Sequence, residues 1–191
     1  KDGANVYYVE GWVEPEQGLL KLDEPGTTLY IAPGSVLNAR CKVTGAFSQV
    51  LGRGAIVDPY ENIREYDGRV AGSEGSGWNM LSMTGVNSKF DGPFLLDARC
   101  FNLALNASNI EVYNCTSFNN GGANVALYTN DRPDTAYIVD GLVSFRTDGM
   151  DVAENFKLKG SQDQSKVYGV NNYFYDTAAQ TGANTEGKKV D

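Results

Sequence analysis

The 191-residue chain contains no histidine. That absence removes Ser-His-Asp and Cys-His nucleophile systems, His-ligated zinc and imidazole acid/base catalysis. Any chemistry must therefore run on carboxylates, Lys, Arg, Tyr or Cys. Cysteine is scarce too: Cys41, Cys100 and Cys115 show no CxxC spacing, so no zinc or redox motif is present. The residues leave two readings open, a Cys100–Cys115 pair in an oxidising compartment or small buried hydrophobes, and the second is preferred. Long apolar runs are missing, so no membrane insertion is expected. The opening stretch "KDGANVYYV" has no apolar segment of leader length. Positive charge is in deficit, with 16 Lys and Arg against 24 Asp and Glu, a net charge of −8 and a pI near 4.6. The basic residues are scattered singly apart from Lys188-Lys189, which argues against nucleic acid and other anionic polymers. Neutral polymers meet no such penalty.

What the chain does have is turn residues. Gly (22) and Asn (17) both tolerate the left-handed backbone of tight turns, and they punctuate short β-branched and aromatic runs. "TTLYIA", "GAIVD", "NIEVYN", "AYIVDGLVSF" and "KVYGVNNYFY" are examples. Amphipathic helical periodicity is scarce, so the chain reads as all-β. The runs recur: Val112 and Val139 each precede a Phe by six residues (Phe118, Phe145), and Val167 precedes Phe174 by seven. Those Phe positions lie 27 and 29 residues apart, a period expected of a solenoid with one repeat per coil. A right-handed parallel β-helix is expected, with a β-sandwich as the competing architecture. The three Phe are expected in its core, and Asn171-Asn172 are expected to ladder along it. One domain spans 1–191, with 58–77 a loop thrown out from a coil and 182–191 a frayed end.

The stretch "ALYTNDRPDTAYIVDGLVSFRTDGMDV" holds five aspartates. Turn chemistry alone accounts for many such residues, because Asp bonds its own downstream backbone and Gly accepts positive φ. Asp140 is read that way. For Asp131, Asp134, Asp148 and Asp151 the residues leave two readings open, turn work and a carboxylate acid/base site on a carbohydrate, and the family resemblance given below favours the second. Inverting hydrolysis of a glycosidic bond needs two carboxyl groups about 6.5–9.5 Å apart, one acid and one base. Successive coils of a parallel solenoid repeat at about 4.8 Å, and clustered like charges raise one pKa toward neutral.

Two stretches carry a resemblance. "TTLYIAPGSVLNARCKVTGAFSQVLGRGAIVD", with Gly52-Arg53-Gly54 and Asp58, resembles the opening coils of polysaccharide-degrading β-helix enzymes of the pectin-lyase-like type. "DGPFLLDARCFNLALNASNIEVYNC" resembles their next coil. The aspartate region is most similar to glycoside hydrolase family 49, the dextranase and isopullulanase group, and more distantly to the polygalacturonases of family 28. In one register Tyr128–Asp134 falls on "QTDGPE", Phe145–Met150 on "FHxNDDA" and Asp176–Gln180 on "DPIIQ". In the other, Arg146–Asp151 falls on "NTDGID". The first keeps three motifs in order and is preferred; it places Gly149 where the family has an aspartate. The resemblance implies an extracellular, endo-acting, inverting hydrolase of a polysaccharide, a neutral α-glucan such as dextran. Its catalytic residues would be Asp131, Asp148 and Asp151. Its substrate contacts would be Asp134, Tyr128, Arg146, Asp176, Gln180 and Trp78. No cofactor is implied. Two alternatives stand beside it: a noncatalytic glycan-binding β-helix or piece of a larger, truncated enzyme, and a lyase using Arg132 or Arg146 with Ca²⁺ held by aspartates.

Overall fold

A computed structural model describes residues 5–16, 18–58, 79–98, 101–118, 123–128, 136–145, 154–159 and 166–175. These form twenty short strands in three sheets, every pairing parallel. Sheet A contains β1 (Val6–Val9), β4 (Thr28–Ile31), β7 (Gln49–Gly52), β10 (Lys89–Asp91), β13 (Ile110–Tyr113), β16 (Ala136–Asp140) and β19 (Lys166–Val170). Sheet B contains β2 (Trp12–Val13), β5 (Val36–Asn38), β8 (Ala55–Val57), β11 (Phe94–Leu96), β14 (Thr116–Phe118), β17 (Val143–Phe145) and β20 (Tyr173–Tyr175). Sheet C contains β3 (Leu19–Leu22), β6 (Arg40–Val43), β9 (Leu81–Met83), β12 (Phe101–Leu105), β15 (Ala123–Tyr128) and β18 (Glu154–Lys159). The chain visits A, B and C in turn and then starts the next coil, which is the expected parallel β-helix.

Strand alternation explains the core. Each sheet aims one register column inward: Leu29–Val50–Phe90–Val112–Val139 in A, Leu37–Ile56–Leu95 in B, and Leu22–Val43–Met83–Leu105–Leu127 in C. All of these are buried and meet in one cluster along the axis. Burial of each such side chain stabilises by roughly 1.5–3 kcal/mol, and neighbouring coils share it.

The corners explain the Gly and Asn. Gly52, Gly92, Asn114, Gly141 and Asn171 stack at the A-to-B corner with φ of 128°, 102°, 51°, 73° and 52°. Gly26, Phe47, Asn87 and Asn109 stack at the C-to-A corner with φ of 56–69°. The Gly-Arg-Gly motif serves the first of these. A Cβ on Gly52 would stand 2.0 Å from the Ile31 carbonyl oxygen, and one on Gly54 would stand 2.5 Å from those of Ala32 and Ser35. Between them, Arg53 Nη1 donates to the Gly52 carbonyl at 2.8 Å.

Two sequence expectations need correcting. Phe118 and Phe145 are not core: they pair in register, pack edge to face at 6.2 Å, and stand on the outward side of sheet B. The inward position beside them is taken by Ser117 and Ser144. Phe174 breaks the supposed repeat, because it pairs with Ser144 while Tyr175 takes the Phe column. Val167 likewise pairs with Tyr137 rather than Val139. The preferred reading of the cysteines holds for Cys115, a free, fully buried thiol that joins no disulfide; Cys100 lies outside the described residues.

Candidate functional site

Sheet C differs from the other two on its outward side. The register column Ser82–Ala104–Ala126 faces outward from β9, β12 and β15, yet all three residues are buried. Phe101 and Tyr128 close the two ends of this small-residue shelf and pack with Ala104 and Ala126 as a second apolar cluster. The shelf is therefore covered, and the half-buried Tyr128 packs at its edge.

Buried polar groups fix both ends of the shelf. Where sheet B turns into sheet C, Asn102 and Asn124 stack in register on adjacent coils. Asn102 Oδ1 accepts from the Ala98 N–H at 3.0 Å. Its two amide hydrogens are shared among Ser117 Oγ, the Phe118 carbonyl and Asn124 Oδ1, each at 2.9 Å, and the Leu95 carbonyl at 3.2 Å. Asn124 donates in turn to Ser144 Oγ at 2.8 Å and to the Phe145 carbonyl at 2.7 Å. Asn155 continues the register column on β18. At the opposite end, the fully buried Tyr137 donates its hydroxyl to the Tyr128 carbonyl at 2.7 Å. Phe145 is thus held immediately before Arg146, and Tyr128 immediately before Thr129.

Those two points are where the aspartate-bearing stretches join the described coils. Asp131 and Asp134 belong to the connection between β15 and β16. Arg146, Asp148 and Asp151 belong to that between β17 and β18. Asp176 and Gln180 follow β20, and Trp78 precedes β9. Of the catalytic and substrate-binding residues expected from sequence, only Tyr128 is described. Asp131, Asp134, Arg146, Asp148, Asp151, Asp176, Gln180 and Trp78 lie outside the described residues. The residues that sequence reasoning missed are Asn102, Asn124, Ser117, Ser144 and Tyr137.

Other reactive groups are committed elsewhere. Burial pushes the Cys41 thiol up to about 12 and the Cys115 thiol further up, so neither is a thiolate at neutral pH. Asp58 is buried directly after β8, where sheet B leads toward sheet C. On the outward side of sheet A, Asp91 pairs with Lys89 Nζ at 3.2 Å and Arg53 Nη1 at 3.7 Å, and accepts from Asn114 Nδ2 at 3.0 Å. The same device recurs where Asn171 Nδ2 donates to Asp140 Oδ1 at 3.1 Å. Asn172 bonds the preceding coil as well, through the Val139 carbonyl and the Leu142 N–H. Among the described residues, no three acidic or cysteine side chains converge as a metal site would require.

No protein-family profile matches the chain, and neither does any curated protein. A solved structure does: a "putative glycosyl hydrolase" from Parabacteroides merdae ATCC 43184, at 15% sequence identity and a TM-score of 0.63. The match covers 94% of this chain and 84% of that one. The two proteins share a fold.

Proposed function

We propose that this chain is a secreted, carbohydrate-active solenoid that hydrolyses glycosidic bonds in a polysaccharide, with a neutral α-glucan such as dextran as substrate. Asp131 and Asp148 act as the acid/base pair and Asp151 assists. The observation that carries this reading is the anchoring of the two aspartate-bearing connections. Each joins its coil at a carbonyl gripped by a buried side chain, Asn124 on Phe145 and Tyr137 on Tyr128. Such support is what a site needs to hold carboxyl groups in productive geometry. The motif resemblance to family 49 and the name given to the Parabacteroides merdae protein point the same way.

In the proposed mechanism one carboxyl group protonates the leaving oxygen while the other activates water on the opposite face of the sugar, at a separation of about 6.5–9.5 Å. The half-buried ring of Tyr128 offers an apolar face to a pyranose. A net charge of −8 repels polygalacturonate and leaves neutral glucans unaffected.

The test is reducing-sugar release from dextran, pullulan, polygalacturonate and xylan, with Asp148→Asn in parallel. Release from one neutral glucan, reduced at least about a thousandfold by the substitution, is the expected result. Gly149, at a family aspartate position, favours a second reading, a glycan-binding solenoid without hydrolysis. Glycan retention without release from any substrate would establish that reading instead.

A further inference from the structure

Sheet B presents a face unlike the other two. None of its strand residues in β2, β5, β8, β11, β14, β17 or β20 is charged, although 21% of the chain is Asp, Glu, Lys or Arg. Its outward side forms two register columns. One runs Trp12–Val36–Ala55–Phe94–Thr116–Val143–Tyr173, and the other Asn38–Val57–Leu96–Phe118–Phe145. Five aromatic rings on this face are open to solvent: Trp12 at 63%, Phe94 at 41%, Phe118 at 38%, Phe145 at 39% and Tyr173 at 60%. With roughly 200–250 Å² for a whole aromatic side chain, those rings alone expose about 500 Å². The half-buried Val36, Ala55, Val57, Leu96 and Val143 fill the space between them. A contiguous apolar patch of that size falls among the largest that monomers carry, about 300–600 Å², which are often functional.

We propose that this face is the contact between two copies of the chain. Area is the first argument. Aromatic and aliphatic side chains together approach the roughly 800 Å² per partner that a standard interface buries. The second is charge. Two molecules at −8 each repel, and the sheet B face is where they can meet without setting strand-borne like charges against one another. The third is chemistry. A sugar chain would need hydrogen-bond partners for its hydroxyls all along the face, and between Trp12 and Tyr173 at its two ends the polar side chains in these columns are Asn38 and Thr116, with Asn38 already bonded to Glu14. A second apolar sheet needs none. Twofold pairing would lay the two faces about 10 Å apart, so that the Phe118–Phe145 pair of each copy packs between side chains of the other.

Sedimentation equilibrium of the full chain tests this, over protein concentrations from about 1 μM to 500 μM and at low and high salt. The expected result is a concentration-dependent dimer of 20.7 kDa chains. It should tighten as salt screens the mutual repulsion. Phe118→Asp with Phe145→Asp should weaken the dimer on the order of a hundredfold, since an unpaired charge would be buried in the contact. Thr116→Arg, which keeps every aromatic ring, should do the same and guards against a misfolded double variant. A wild type that stays monomeric at all concentrations, or a Thr116→Arg chain that dimerises as tightly as the wild type, overturns the proposal. A monomer that is retained by immobilised dextran, with retention lost in Thr116→Arg, would assign the face to a glycan and overturn it equally.

Discussion

Asp91 shows how a surface carboxylate is used in this fold. Partial burial alone would raise its pKa. The hydrogen bonds from Asn114 and Lys89, with the charges of Lys89 and Arg53, outweigh that and hold it below its ordinary value of 3.8. A carboxyl group more acidic folded than unfolded stabilises the fold above pH 3.8 and loses that contribution as the pH falls through its lowered value. Asn114→Gly keeps the positive φ of 51° accessible and removes only the amide. Its Asp91 titration, followed by carboxyl carbon NMR, is expected to move up toward 3.8. An unmoved titration would mean that the two cations alone set it. The Asn171–Asp140 pair, built alike, explains why Asp140 is a corner residue.

At the scale of the strand and the corner, the buried amide ladder matters most. Asn124 links Asn102, Ser117, Ser144 and the Phe145 carbonyl in a fully buried network. Asn124→Leu removes its central member and strands several polar groups. A loss of about 3 kcal/mol or more is expected, read as a lowered urea midpoint. A loss near 1 kcal/mol would show that water replaces the amide. This ladder was readable in principle. Asn102, Asn124 and Asn155 are spaced by 22 and 31 residues, the same offsets as the strand pairs Phe101–Ala123 and Ala123–Glu154. The Phe period misled for a physical reason. Val112, Cys115 and Ser117 all point inward, so the corner at Asn114 shifts strand alternation by one residue and turns Phe118 out. An even spacing counted through a left-handed corner does not mean the same face. The β-helix itself was legible because inward apolar residues and corner Gly and Asn repeat with the coil. The aspartate-bearing stretches carry no such period, so motif matching could name Asp131 and Asp148 but not their geometry.

On the scale of the whole molecule, a solenoid is held by contacts between neighbouring coils, so a connection can lengthen without disturbing the stack. The stretch between Val57 and Leu81 is the clearest case. The coils on either side pair residue for residue, Val57 with Leu96 and Leu81 with Cys41 and Leu103, although 23 residues separate β8 from β9. The corresponding connection between β11 and β12 has four. By extension of the register, Asp58 and Asn79 match Asp97 and Phe101, so replacing residues 59–78 with three residues reproduces the shorter coil. Loop-closure entropy favours the shortened chain by about 1 kcal/mol. The replaced chain is therefore expected to melt cooperatively within about 5 °C of the parent, followed by far-UV circular dichroism. Failure to fold would show that the coils depend on this stretch. Trp78 falls within it, and loops thrown from a solenoid line its binding face. Under the hydrolase proposal the shortened chain should therefore release less sugar from its glucan while melting as before. Unchanged release would make the stretch a surface insertion and remove Trp78 from the site, leaving Tyr128 as its aromatic platform.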